Sequence, residues 1–231
     1  MINIIAHRGL WNEKVKENTI EAFQRAIDEK LDIELDVQLS KDKRVVVYHD
    51  ETLKRLHNID AKIKDLTFQK LAKYDIPLLE DVLKLVDGQV YLDIEIKYYH
   101  AIFETTRKTA LILRNYKYNY SIKSFHPLIP IYYKRLSPNT KCGLLIGHYP
   151  KYWPKALKNY FYNLRFLSIY HPDFISYSLL NFNHTIYQKL LEHKIPFSLY
   201  TIRTEANLKL AKQYTSSLIV EKIYPIKKTS K

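Results

Sequence analysis

Two histidines, three carboxylates, an arginine and a lysine follow strand-like apolar runs in this chain. They lie in His7-Arg8-Gly9, Glu34-Leu35-Asp36-Val37, His49-Asp50 and Glu95-Ile96-Lys97. Such a set can hold a divalent cation beside a phosphate ester and move protons across it. Glu34 and Asp36 are two apart, so in a strand their carboxylates share a face. Carboxylates forced together raise one another's pKa unless a cation separates them. The competing reading is the polar face of a half-exposed strand. A third carboxylate, Glu95, converging on the same mouth favours the cation. Lys97 shares the face of Glu95, where it either neutralises a phosphate oxygen or forms a salt bridge to Asp93 or Glu95. His7 reads as a group at the end of a strand, or as an ordinary loop histidine. Arg8 can fork two hydrogen bonds to phosphate, and Gly9 permits a tight turn or a close backbone approach. His49, with Asp50 beside it, supplies a second imidazole, so one ring can act as general base and the other as general acid.

The remaining histidines carry no comparable context, although His126 is expected near the mouth of the fold. Cys142 reads as packing, and Trp11 either covers a substrate or packs. With four glycines in the chain, a nucleotide-binding glycine fingerprint is not expected.

The elements that must position these residues alternate. Ile2 to Ala6 reads as a strand and Glu17 to Lys30 as a helix, with Asn18-Thr19 supplying the capping chemistry. In Leu31 to Val37 the apolar residues face one way and Asp32, Glu34 and Asp36 the other. Val45 to Tyr48 is the next strand. The link Gln38 to Arg44 is too short for a helical crossover. A hairpin turning around Lys41-Asp42 is therefore expected, in a register that sets His49 opposite Glu34. After it come short helices at Asp65 to Tyr74 and Pro77 to Leu85, and a strand at Tyr91 to Lys97. Strands and helices alternate to Ser217 to Glu221, and only Tyr152 to Leu167, dense in aromatics, has no clear assignment. Setting the hairpin strand aside leaves eight strands, which favours a closed TIM-type (β/α)8 barrel of the α/β class over an open sheet. The reading is a single domain over residues 1–231, with a short insertion around 51–76 and a frayed basic tail from Lys227 to Lys231.

The chain has 231 residues, 46% of them hydrophobic, which suits one domain with a full core. Its net charge of +13 fits a solvated basic surface, steering of an anionic substrate, or peripheral contact with an anionic membrane. No nucleic acid-binding motif is evident. One cysteine allows no internal disulfide, and no apolar run approaches membrane-spanning length. A soluble cytoplasmic protein is the expectation. Oligomeric state is not legible.

Together these segments resemble the glycerophosphodiester phosphodiesterase family. The resemblance rests on His7-Arg8-Gly9, Glu17-Asn18-Thr19-Ile20-Glu21-Ala22-Phe23 and Glu34 through Asp42. It continues in Val45 through Arg55, Ile76 through Val82 and Asp93-Ile94-Glu95-Ile96-Lys97. It is dense over residues 7–97 and thin afterwards. It implies a TIM-type barrel that hydrolyses small-molecule glycerophosphodiesters to sn-glycerol 3-phosphate and an alcohol. It also implies one divalent cation, Mg²⁺ or Ca²⁺, on Glu34, Asp36 and Glu95. His7 would be the proton acceptor, His49 the proton donor, and Arg8 and Lys97 the phosphate contacts. The chain departs from the family pattern at several places. Lys16 stands for a proline and Lys43 for a turn glycine. Tyr200-Thr201-Ile202-Arg203 replaces Trp-Thr-Val-Asn, and Glu221-Lys222 replaces a Thr-Asp pair. These departures are expected to affect the substrate-binding rim, not the catalytic set. Two other readings are a phospholipase D acting on membrane lysolipids, docked through the aromatic, basic stretch Tyr149 to Tyr170, and a non-enzymatic binding barrel.

Overall fold

The computed structural model describes residues 2–147, 149 and 153–223. The segment from Lys227 to Lys231 lies outside the described residues. In chain order the elements are β1 (Asn3–His7), α1 (Ile20–Asp28), β2 (Asp32–Leu39), β3 (Val45–Val47), α2 (Lys54–His57), α3 (Phe68–Leu71) and α4 (Leu79–Val86). They continue with β4 (Leu92–Ile96), α5 (Ile102–Leu113), β5 (Tyr120–Ser124), α6 (Leu128–Leu136), β6 (Lys141–Ile146) and α7 (Lys155–Tyr162). Then follow β7 (Phe174–Ser178), α8 (His184–Glu192), β8 (Phe197–Ile202), α9 (Glu205–Ala211) and β9 (Ser217–Val220). Eight strands pair in parallel in the order β1-β2-β4-β5-β6-β7-β8-β9, and β9 returns to β1, closing the barrel.

Local sequence accounts for these elements. In α1, Ala22, Phe23, Ala26 and Ile27 form the buried stripe, and the Thr19 hydroxyl accepts the Ala22 amide at the N-terminus. In β2, Ile33, Leu35 and Val37 point outward into the layer shared with the helices and are fully buried there. Each such side chain contributes roughly 1.5–3 kcal/mol of transfer free energy. The alternate residues Glu34, Asp36 and Gln38 face the interior and are also buried. The barrel interior is therefore polar on one side. Opposite, Ile5, Leu145, Tyr200 and Ile219 form a small apolar cluster.

The hairpin forms as expected, with β3 antiparallel to β2, but its register differs. Val37 pairs with Val47 and Leu39 with Val45, so continuation of the ladder would set Leu35, not Glu34, opposite His49. The ladder ends at Val47, and His49 reaches the interior because the chain has left the sheet. Residues 51–76 carry α2, α3 and short 3-10 turns. They pack Leu53, Ile63, Leu71 and Ile76 into a small cluster of their own against Val46 and Tyr48. The stretch without a clear assignment contains α7, followed by a 3-10 turn over Arg165–Ser168.

Candidate active site

The site is built at the C-terminal ends of the strands. After β1 the chain turns sharply, with Arg8 and Gly9 both at positive φ. A side chain on Gly9 would place its Cβ 2.9 Å from the Ala22 carbonyl carbon, so only glycine lets the turn lie this close to α1. The turn aims the Arg8 amide at Glu34 Oε2, 3.2 Å away. It also carries the Arg8 guanidinium to Glu17 Oε1 at 2.7 Å and Asp36 Oδ2 at 3.3 Å. Asn18 donates its side-chain amide to the same Asp36 oxygen at 2.9 Å.

Sheet register then gathers the carboxylates. Asp36 pairs with Glu95 across β2 and β4, and Glu34 with Asp93. Glu34, Asp36 and Glu95 are buried, and each offers an oxygen within 4.8 Å of the others. Two ammonium groups sit among them. Lys97 Nζ lies 2.6 Å from Glu95 Oε1 and 3.4 Å from Asp36 Oδ1. Lys123 Nζ lies 2.6 Å from Asp93 Oδ2 and 3.4 Å from Glu34 Oε1. Lys97 thus forms the ion pair with Glu95 rather than Asp93, which belongs to Lys123 and to the Ser121 hydroxyl.

The electrostatics follow from burial and neighbours. Burial pushes the Glu34 carboxyl up; Lys123 opposes this, while Asp36 and Glu95 add to it. Burial alone would raise Asp36 too, but Lys97, His49, Arg8 and the Asn18 hydrogen bond hold it well below the usual range. Burial and the Arg8 charge push His7 down to about 4, so its ring is neutral at pH 7. Its 2.9 Å contact from Nδ1 to Glu221 Oε2 is therefore a hydrogen bond from a neutral imidazole, not an ion pair. His49 Nδ1 lies 2.6 Å from Asp50 Oδ1, and Arg55 Nε donates to the other Asp50 oxygen at 2.6 Å.

Three buried carboxylates form a hard, all-oxygen donor set of the kind that suits Mg²⁺ or Ca²⁺. The residues present fit such an ion. They open on a cavity of about 360 Å³ lined by His7, Arg8, Glu34, His49, Glu95, Lys97 and Lys123, with Tyr98, Phe125, Leu180 and Tyr200 on its apolar side. Six of the seven site residues named from the sequence line this cavity, and Asp36 stands directly behind it in the carboxylate cluster. His126 and Trp11 do not line it; the Trp11 indole donates to the His7 carbonyl at 3.0 Å. His148 lies outside the described residues.

Sequence reasoning missed Lys123, Arg203 and Glu221. For Lys123 a signal existed: it shares strand parity with Ser121, on the inward face. Arg203 and Glu221 stood out only as departures from a family pattern, assigned to the rim. Instead Arg203 Nη2 lies 3.1 Å from Glu221 Oε2, the oxygen that takes the His7 hydrogen bond.

Comparison with known proteins adds an independent line. The model of the glycerophosphoryl diester phosphodiesterase family matches residues 7–220. A glycerophosphodiester phosphodiesterase from Caldanaerobacter subterraneus subsp. tengcongensis is 38% identical over 161 residues, 62% of this chain and 65% of that protein. The chain thus spans just under two thirds of that relative's length. A glycerophosphodiester phosphodiesterase from Bacillus altitudinis is 33% identical over 189 residues, 71% of this chain and 77% of the relative. The crystal structure of a glycerophosphodiester phosphodiesterase from Thermotoga maritima has a TM-score of 0.76 at 27% identity, covering 95% of this chain and 94% of that one.

Proposed function

Because the chain belongs to the glycerophosphoryl diester phosphodiesterase family, a family of phosphoric diester hydrolases, we propose that it hydrolyses glycerophosphodiesters to sn-glycerol 3-phosphate and an alcohol. The observation that carries this reading is convergence. Two imidazoles, each held by a carboxylate, face one cavity with Arg8, Lys97 and a cluster of three carboxylates. Neutral His7 accepts a proton from the attacking water as its oxygen bonds to phosphorus, and His49, oriented by Asp50, gives a proton to the alcohol oxygen as its bond to phosphorus breaks. Arg8 and Lys97, which both line the cavity, bind the phosphate oxygens. Glu34, Asp36 and Glu95 would hold Mg²⁺ or Ca²⁺, which when bound supplies charge neutralisation at the phosphoryl oxygens.

The test is release of sn-glycerol 3-phosphate from glycerophosphocholine and glycerophosphoethanolamine, with and without chelator. Activity that survives exhaustive chelation would overturn the role of the cation. His7→Ala and His49→Ala should each lower kcat by about a hundredfold or more. A second reading, a lysophospholipid as substrate, is favoured by Leu180, 77% exposed at the cavity mouth, where it can meet an acyl chain. Faster turnover on lysolipid vesicles than on water-soluble diesters would select it.

A further inference from the structure

The two histidines are held by matching arrangements drawn from opposite ends of the chain. His49 lies against Asp50, which Arg55 grips. His7 lies against Glu221, which Arg203 grips. The first carboxylate is next to its histidine in sequence. The second is 214 residues away and arrives only through barrel closure.

Glu221 is well placed to constrain the ring. Its amide donates to the Ile202 carbonyl at 2.9 Å, fixing its backbone just beyond the β8–β9 pair. It is 8% exposed, so water competes little for its oxygens. The opposite ring nitrogen, His7 Nε2, points toward the carboxylate cluster, 3.9 Å from Glu34 Oε2. A neutral imidazole has two tautomers, and a carboxylate on one nitrogen selects the form with the proton there. Arg203 and Glu221 stand at two of the places where the sequence departs from the pattern it resembles, and the fold brings them into contact.

We propose that Glu221, braced by Arg203, is the positioning residue of His7, fixing its Nδ1–H tautomer and leaving Nε2 free to accept a proton from the attacking water. When Nε2 takes that proton, the ring carries its positive charge against the Glu221 carboxylate, and Nδ1 keeps its own hydrogen. The kinetic part of this inference rests on the hydrolase reading; the tautomer part does not.

The experiment uses the full chain with ¹⁵N-labelled histidine. The His7 ring signals are assigned by their loss in His7→Gln, and kcat and KM are measured on glycerophosphocholine. In the wild-type protein Nδ1 should carry the proton. Glu221→Ala should mix the tautomers and lower kcat about 10- to 100-fold, with KM within about threefold. Glu221→Gln keeps an acceptor and the volume but not the charge, so it should retain the tautomer and lower kcat less than the Ala variant does. If Glu221→Ala does not fold, Glu221→Leu, with no acceptor but a similar size, takes its place. A wild-type ring protonated on Nε2 would overturn the proposal. So would ring signals unchanged in the Ala variant, a raised KM with kcat intact, or a Gln variant as damaged as the Ala variant. An inactive wild-type protein whose His7 carries the Nδ1 proton would remove the hydrolase reading and leave the tautomer assignment standing.

Discussion

Lys123 is fully buried, and its ammonium is held by Asp93 and Glu34. Removing it strands Asp93 as a buried charge. Lys123→Met should therefore cost about 3–5 kcal/mol in urea unfolding, and adding Asp93→Asn should recover much of that loss. An unchanged midpoint would show that water replaces the ammonium. Glu221 offers a test by pH. Burial opposes ionisation of its carboxyl, yet the hydrogen bonds from His7 and Arg203 hold it down to about 2, against an ordinary 4.5. A depressed carboxylate stabilises the fold above its unfolded pKa and loses that contribution as pH falls through the folded value. The stability advantage of wild type over Glu221→Gln should accordingly be full above about pH 4.5 and fade toward pH 2, read from unfolding midpoints across that range. Legibility also divides at this scale. Strand parity alone pairs Glu34 with Asp36 and Glu95 with Lys97. Lys123 has only its parity with Ser121, and Glu221 lies just past β9, so neither names its partner until the neighbouring strands are known.

The hairpin between β2 and β3 shows what an element can and cannot announce. Its existence followed from a link too short to cross over. Its register did not, because the alternation of Val45, Val46 and Val47 is apolar on both faces and fixes no parity. Lys43 sits in its turn at φ +62°, where the family pattern has glycine. The left-handed conformation costs a branched backbone about 1 kcal/mol or more. Lys43 Nζ also pairs with Glu104 at 2.7 Å, but both groups are substantially exposed and such pairs contribute little. Lys43→Gly should thus raise stability by about 0.5–1 kcal/mol with activity retained, measured by thermal melting and turnover. A destabilised variant would show that the exposed pair outweighs the strain. The α7 region was illegible for a different reason. Tyr149 stacks on Trp153 at 5.0 Å, and Phe161 packs on Trp153 and Phe166, so its aromatics contact each other rather than forming one helical stripe.

At the scale of the whole molecule, the barrel was legible from the alternation of strands and helices, and its closure supplies the site. Burial and mutual repulsion work against three negative charges, and Lys97 and Lys123 offset only part of that cost. A bound cation should therefore stabilise the entire fold. At a concentration 100 times its dissociation constant, Mg²⁺ or Ca²⁺ should add about 2.7 kcal/mol. For a chain of this size that is roughly 5–10 °C in Tm. A chelator should reverse the shift, and Glu34→Gln with Glu95→Gln should abolish it. No shift with either ion would argue against a cation in this cluster. Among the described residues no helix is long and apolar enough to cross a membrane. The pairing of β1 with β9 brings His7 to Glu221, so the strand that ends at His7 is seated by the strand that precedes Glu221. Without the segment from Ser217 the chain would still carry every cluster carboxylate and both imidazoles, yet His7 would lose its Glu221 contact. A change that loosens the β1–β9 seam should therefore unseat His7, while the three carboxylates, gathered by β2 and β4, keep their places.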